Sequence, residues 1–313
     1  MGALRGHRRP RQHPPGRAPR PRGARRRGRG LRRARGARMT RLDGRVAIVS
    51  GGGSGLGREI ALEYAALGAS VVVSSNVEAE IEAVAAECRQ AGGEAIAVAA
   101  DVRSETEMQA LIAHAVEAYG GLDVFVAAAA VDIVDVPGPE GRYFRRLSLE
   151  QWTSVIETNV TGVFVAFRAA IEPMIERGGG SLMSFSSGTV RFPPPGLSAY
   201  VSSKFALEGL TKVLAQELAA DGIRVNTIQP GGVTDTAFLP DWVRESPPGP
   251  MHQPSVIRAL AAYLASDESR LITGRSLVAC EFNKERGLEL CPCARCTTTD
   301  PALALEWRGA TAL

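Results

Sequence analysis

Tyr200 and Lys204 stand four residues apart in a largely apolar stretch, and Ser187 precedes the tyrosine by thirteen positions. In a helix, side chains at i and i+4 leave one face, which would set phenol and ammonium side by side. An ammonium beside a phenol favours the phenolate and brings a group of pKa ~10 closer to exchange at neutral pH. A serine delivered by a separate loop would hold a carbonyl or alcohol oxygen at the same point. Taken singly, each residue has an ordinary reading: a surface Tyr–Lys pair, and loop polarity in Ser186-Ser187-Gly188. Together they make a proton-transfer device for an oxygen whose carbon gains or loses a hydride.

Such groups need a scaffold, and from Arg45 onward the chain has the pattern of one. Short apolar runs predict strands over 46–50, 70–74, 95–99, 122–127, 180–185, 224–228 and 276–279. Between them, longer amphipathic stretches predict helices over 58–67, 77–91, 105–119, 149–168 (extending towards 176), 199–219 and 255–264. Apolar strands alternating with helices are buried on both faces. The expected fold class is therefore α/β, a single domain with a doubly wound, parallel, seven-stranded, Rossmann-like sheet.

The segment Ser50-Gly51-Gly52-Gly53-Ser54-Gly55-Leu56-Gly57 falls between the first strand and the first helix. Glycine lets backbone approach a pyrophosphate closely, and a helix start offers unpaired N–H groups and a favourable dipole. Many loops are glycine-rich; the strand before and the helix after make this one read as a dinucleotide turn. An acid ending the second strand would bind the ribose hydroxyls and repel a 2′-phosphate. This chain has Ser74-Ser75-Asn76 there, no acid before Glu78, and Arg58 and Arg103 as cations within possible reach. NADP is the favoured cofactor on that ground, with NAD as the alternative.

Composition separates a body from its ends. Residues 1–38 carry fifteen arginines and no acid, whereas residues 39–313 hold 22 basic and 33 acidic residues, net −11. An acidic body is a poor nucleic-acid binder. No apolar run approaches the ~20 residues of a membrane-spanning helix, so no membrane partner is expected either. The Arg/Pro/Gly/Ala leader cannot bury enough surface to offset its ordering entropy, and disorder is expected there. It reads as a nucleic-acid tail, a transit peptide or an export signal. Absent serine and frequent Pro and Gly count against transit, and the missing apolar segment after the arginines counts against export. The favoured expectation is that the protein starts at Met39 and that the leader is translated upstream sequence.

Only Cys88 of the five cysteines lies in the body, which points to a reducing, cytoplasmic setting. Cys291, Cys293 and Cys296 form Cys-x-Cys-x-x-Cys, but a second Cys-x-x-Cys pair and nearby histidines are missing, and Cys280 is the one obvious fourth ligand. No metal is expected, and residues 280–313 are expected to form an irregular tail.

Taken together, these residues resemble the short-chain dehydrogenase/reductase family over about residues 42–279. Its Thr-Gly-x-x-x-Gly-x-Gly motif is matched with Ser50 in the threonine place, and Tyr200-Val201-Ser202-Ser203-Lys204 fits its Tyr-x-x-x-Lys signature. The resemblance implies an NAD(P)-dependent enzyme, a homo-oligomer, that moves hydride between cofactor and a small alcohol or ketone. Its relatives include 3-oxoacyl reductases and small-alcohol dehydrogenases. The implied catalytic tetrad is Asn159, Ser187, Tyr200 and Lys204, with Asn159 (in Thr158-Asn159-Val160-Thr161-Gly162) holding a relay water. The implied cofactor contacts are Gly51, Ser54, Gly55, Leu56 and Gly57 in the turn, then Ser75 and Asn76, then Asp101 and Val102 at the adenine. Ala128, Tyr200, Lys204, Pro230, Gly231 and Val233 complete the set towards the nicotinamide.

The chain departs from the family in three places. Ala127-Ala128-Ala129-Ala130 replaces Asn-Asn-Ala-Gly, where an amide normally braces the sheet; losing that amide costs about 1 kcal/mol. Asp235 stands where a threonine should follow Pro230-Gly231, with Thr234 and Thr236 on either side, so that a one-residue shift would bring Thr236 to the carboxamide. The Asp-Gly-Gly ending that helps build the family's subunit interface is absent beyond Ala279. These departures keep a catalytically silent nucleotide-binding scaffold as the alternative. The segment over about 234–254 is expected to face substrate through Phe238, Trp242 and Met251, with Phe192-Pro193-Pro194-Pro195 opposite.

Overall fold

Alternation along each strand decides which layer a side chain serves. The strands are β1 (Val46–Ser50), β2 (Ser70–Ser75), β3 (Glu94–Ala99), β4 (Val124–Ala127), β5 (Gly180–Phe185), β6 (Ile223–Gln229) and β7 (Ser276–Val278). They form one sheet in the order β3-β2-β1-β4-β5-β6-β7, every pairing parallel. Ala47, Val49, Val71, Val73, Val124, Val126 and Met183 face one core. Their neighbours Val46, Ile48, Val72, Phe125 and Leu182 face the other. A period of two on a sheet covered on both sides requires this split.

The computed structural model describes residues 40–133, 139–247 and 251–288, all within a compact unit that begins at Thr40. The expectations about the leader, the Met39 start and the run Cys291, Cys293, Cys296 lie outside the described residues.

Helices α1 (Gly55–Ala66), α2 (Glu78–Gln90) and α3 (Glu105–Tyr119) follow the first three strands. The first core receives Ile60 and Tyr64 of α1 and Ile81 and Val84 of α2. Met108 and Leu111 of α3 go to the second. The first helix starts at Gly55 rather than at residue 58, so the end of the glycine turn is itself helical.

The predicted helix over 149–168 is a composite: α4 (Leu149–Ile156), a π turn (Glu157–Thr161) and α5 (Gly162–Glu176). Ser148 opens α4 with a capping box, accepting from the Gln151 N–H at 3.1 Å while Gln151 Oε1 accepts from the Ser148 N–H at 3.0 Å. By length and composition the Leu149–Glu176 run is apolar enough to cross a membrane, contrary to the reading of the sequence. Its apolar residues Val163, Ala166, Phe167, Ala170 and Met174 are buried in the second core.

Helix α6 (Ser198–Glu217) follows β5, and the short α7 (Asp241–Glu245) follows β6. The predicted helix over 255–264 is a 3-10 turn, Pro254–Ile257, leading into α8 (Arg258–Ala265). The irregular tail placed after residue 279 needs correction: Ala279–Glu285 is a helix, α9, with Ala279 and Asn283 buried. Asn283 Nδ2 donates to the Val256 carbonyl at 2.9 Å, and the Cys280 N–H donates to the Pro230 carbonyl at 3.1 Å. Those two bonds tie α9 to α8's approach and to the loop after β6, which periodicity alone could not signal.

Strand β4 starts two residues later than predicted because Asp123 has other work. Its carboxylate accepts from the Val46 N–H at 2.9 Å and from Arg45 and Arg177 at 3.0 Å each. Asp123→Ala leaves a buried N–H and two half-buried guanidinium groups without their acceptor. Unfolding free energy should drop by about 2–3 kcal/mol, below the full loss for a wholly buried pair because both arginines keep water contact. Urea denaturation measures it; an unchanged midpoint would remove Asp123 from the stability of the sheet edge.

Candidate functional site

β1 pairs with β2 on one side and β4 on the other, and the chain leaving β1 goes to one face while the chain leaving β4 goes to the opposite one. A crevice opens where connections diverge in this way. Here it is a cleft of about 1660 Å³ at the carboxyl ends of the strands. Its wall carries Gly51, Ser54, Gly55, Leu56, Gly57, Ser75, Asn76, Asp101, Val102, Ala128, Pro230, Gly231 and Val233. Ser187 and Tyr200 line it too. Lys204 and Asn159 do not: they are 2% and 1% exposed and stand behind the wall.

The glycine turn is shaped by contact. Gly51 has φ +70°, and a Cβ there would lie 2.6 Å from the Ala129 Cα. A Cβ on Gly57 would overlap the Gly51 carbonyl oxygen. Ser54 caps α1 only by position, with no side-chain hydrogen bond, and no acid lies in the first turn. The first N–H groups of α1 therefore meet the cleft without a side-chain acceptor, as a diphosphate would require.

Ser187, ending the loop after β5, and Tyr200, in the first turn of α6, stand together on the cleft wall, near enough for the serine hydroxyl to favour the ionised phenol. Ser187 Oγ accepts from the Thr189 hydroxyl at 3.0 Å and the Thr189 N–H at 3.3 Å. Phe238 packs on the Tyr200 ring, centroids 5.7 Å apart, and the Lys204 Nζ lies 5.2 Å from the same centroid.

The electrostatics differ from the sequence expectation. Burial pushes the Tyr200 phenol up to about 12, Ser187 opposing and Asp132 adding to the rise. Burial also pulls the Lys204 ammonium down to about 8, with Asp132 opposing. Desolvation thus sets the direction for both groups, because phenol and ammonium are both buried away from water. The sign for stability follows. Below about pH 8 both folded and unfolded chains hold the Lys204 proton, so the burial penalty is complete; it is recovered as pH rises from there to the ordinary 10.5.

Asn159 is fixed by protein groups on both sides. Its Oδ1 accepts from the Val131 N–H at 2.8 Å, and its Nδ2 donates to the Val131 carbonyl at 2.9 Å and to Ser203 Oγ at 3.2 Å. Three of its four hydrogen-bonding positions are used on protein. The π turn, one residue wider than an α turn, carries Asn159 between the loop after β4 and α6. The Ala127–Ala130 stretch, without its own amides, is thereby held at its far end by Asn159. At its near end the Ala128 N–H donates to the Ser50 carbonyl at 2.8 Å.

The cleft is also lined by Phe192, Pro193, Pro194 and Pro195, and by Phe238 and Trp242 from the segment after β6. Met251, expected there, is not part of the wall. Thr234 and Thr236 line the cleft whereas Asp235 does not. Thr236 reaches the glycine turn, its Cγ2 3.3 Å from where a Cβ on Gly55 would stand.

Three features escaped the sequence. Asp132 and Arg142 form an ion pair buried beside the catalytic candidates, their side chains 7% and 5% exposed. Glu80 of α2 and Glu281 of α9 also line the cleft. No spacing rule joins Asp132 to Arg142 or Glu80 to Gly53; only the loops' paths bring them together.

A family profile described as short chain dehydrogenase matches residues 45–246, the span that holds the glycine turn, Asn159, Ser187, Tyr200 and Lys204. The chain belongs to the short-chain dehydrogenase/reductase family. As a member it is an NAD(P)-dependent oxidoreductase acting on a small molecule. The chain is 37% identical over 244 residues to the 2,5-dichloro-2,5-cyclohexadiene-1,4-diol dehydrogenase of Sphingobium indicum, covering 76% of this chain and 95% of that one. It is 38% identical over 245 residues to the 3-alpha-(or 20-beta)-hydroxysteroid dehydrogenase of Mycobacterium bovis, covering 76% and 88%. Among solved structures, a short-chain type dehydrogenase/reductase from Mycobacterium marinum superposes with a TM-score of 0.70 at 31% identity, covering 76% of this chain and 95% of that one. The family's dinucleotide suits the residues present: open helix N–H groups, and glycines whose side chains would block the turn.

Proposed function

We propose that the protein interconverts a secondary alcohol and a ketone, with Ser187, Tyr200 and Lys204 as its catalytic residues and Asn159 as a positioning residue. The observation that carries this reading is that Ser187 and Tyr200 meet on the wall of the same cleft that the glycine turn lines, with the Lys204 Nζ 5.2 Å from the Tyr200 ring centroid. When bound, a nicotinamide dinucleotide supplies or accepts the hydride. Gly51, Ser54, Gly55, Leu56 and Gly57 would hold its diphosphate, and Pro230, Gly231 and Val233 its far end.

In the reductive direction, Ser187 donates a hydrogen bond to the substrate carbonyl oxygen as negative charge grows there. Tyr200 gives its phenolic proton to that oxygen, and the phenolate left behind is stabilised by the Lys204 ammonium. The oxidative direction reverses each transfer, with the phenolate as base. Asn159 keeps the loop after β4 against α6 and so fixes the distance between cofactor wall and phenol. Nothing in the site favours the catalytically silent alternative: the alanine stretch lines the cleft and leaves it open.

The substrate class we read is a ring-borne secondary alcohol. Its support is an apolar wall of Phe192, Phe238, Leu239 and Trp242, and two relatives named for a cyclohexadiene diol and hydroxysteroids. Self-association fits the exposed Phe164 of α5 and Phe205 of α6. The test is cofactor absorbance in both directions with cyclic alcohols and ketones, linear alcohols, 3-oxoacyl thioesters and sugars. Cyclic substrates should give the highest kcat/KM. A best rate on 3-oxoacyl thioesters would replace the substrate reading, and no turnover on any class would end the catalytic one.

A further inference from the structure

We infer that Glu80 selects the cofactor, and that it selects NAD over NADP. The inference rests on the dinucleotide reading of the cleft. The end of β2, Ser74-Ser75-Asn76, has no acid, which by itself argues for NADP. The fold supplies the acid from elsewhere. Glu80, in the first turn of α2, folds back over the glycine turn: its Cβ and Oε2 lie 2.8 and 2.9 Å from where a Cβ on Gly53 would stand. Ser75 Oγ is 3.3 Å from the same point. Carboxylate, serine hydroxyl and bare glycine thus share one corner, and Glu80, Ser75, Asn76 and Gly53 all line the cleft.

The charges around that corner are already committed. Among the described residues Glu80 itself makes no ion pair, which leaves its carboxylate available to a ligand. Arg58, named from sequence as a phosphate partner, is bound to Glu59 at 3.0 Å and to Glu87, and is not on the cleft wall. Arg103 is on the wall but is bidentate on Asp101, with Nη2 2.6 Å and Nε 3.0 Å from its oxygens. Arg142 is buried against Asp132, and Arg191 stands beside Phe192 and the proline run.

A ribose with free 2′- and 3′-hydroxyls is a hydrogen-bond donor to a carboxylate. A 2′-phosphate brings about two negative charges and no donor to the same carboxylate, and like charges a few ångströms apart repel even in a wet site. Ser75 and Asn76 accept either partner, so Glu80 decides.

Equilibrium titration of NADH and NADPH by nucleotide fluorescence, on the full chain and on Glu80→Gln, tests this without any substrate. The natural protein should bind NADH at least about ten-fold more tightly than NADPH. Glu80→Gln should shrink that ratio towards one, mainly by improving NADPH, and Glu80→Arg should reverse it. Equal affinities in the natural protein, tighter NADPH, or a ratio unmoved by Glu80→Gln would each overturn the inference while leaving the dinucleotide reading intact. Failure to bind either nucleotide would overturn both.

Discussion

Tyr200→Phe should lower turnover about a thousand-fold in both directions and leave dinucleotide affinity within about two-fold. The substitution removes one oxygen and little else. The phenylalanine ring keeps its packing on Phe238 and its place under the Lys204 Nζ, so the wall of the cleft retains its shape. What disappears is the proton that must reach the substrate oxygen, and with it the hydroxyl that stands beside Ser187 on the cleft wall. Nucleotide titration beside steady-state kinetics separates the two effects. Turnover within ten-fold of the natural protein would remove Tyr200 from the mechanism.

The pH dependence tests the same assignment by a second route. A phenol held up to about 12 is protonated throughout the neutral range. Ketone reduction starts from the phenol and should vary little with pH there. Alcohol oxidation starts from the phenolate and should rise about ten-fold per pH unit until another step limits the rate. In Tyr200→Phe that slope should vanish.

Gly57→Ala should weaken dinucleotide binding about ten- to a hundred-fold and lower the unfolding midpoint as well. A Cβ there would overlap the Gly51 carbonyl oxygen, a backbone atom that no rotamer change can move. Relief requires the turn to open, and overpacking of this kind costs about 1–3 kcal/mol. Gly51 has little room to yield, since its other side rests on the Ala128–Ala129 backbone. Gly209→Ala is the control: it lies inside α6 with nothing within 4 Å of the added carbon, and it should stabilise the fold by about 1 kcal/mol. Nucleotide titration and thermal melts on both proteins check the contrast. Undiminished binding by Gly57→Ala would dissociate the glycine turn from the cofactor.

Much of this molecule is legible in one dimension. Strand alternation, the glycine turn and the Tyr200/Lys204 spacing are local facts, set by backbone sterics and by side-chain periods of two and three to four residues. They suffice for the parallel sheet, its order of elements and the cleft. Helix α3 and strand β5 occupy the predicted residues, because Ser104 caps one and Gly180 opens the other. Boundaries went astray where a distant partner intervened: Asp123 holding Arg45 and Arg177, or Val131 drawing Asn159 into a π turn.

The residues that tune the site belong to that second class. By itself the amino-acid order determined the family, the fold and which side chains meet on one helical face. Tertiary structure alone decided that Lys204 is buried deeply enough for its ammonium to fall to about 8, and that Asn159 clamps a loop. It also placed Asp132 against Arg142 and folded Glu80 over Gly53. The division has a physical cause. Periodicity and spacing report forces acting over a few residues, whereas desolvation and charge act through space, between groups whose distance along the chain carries no information about their separation.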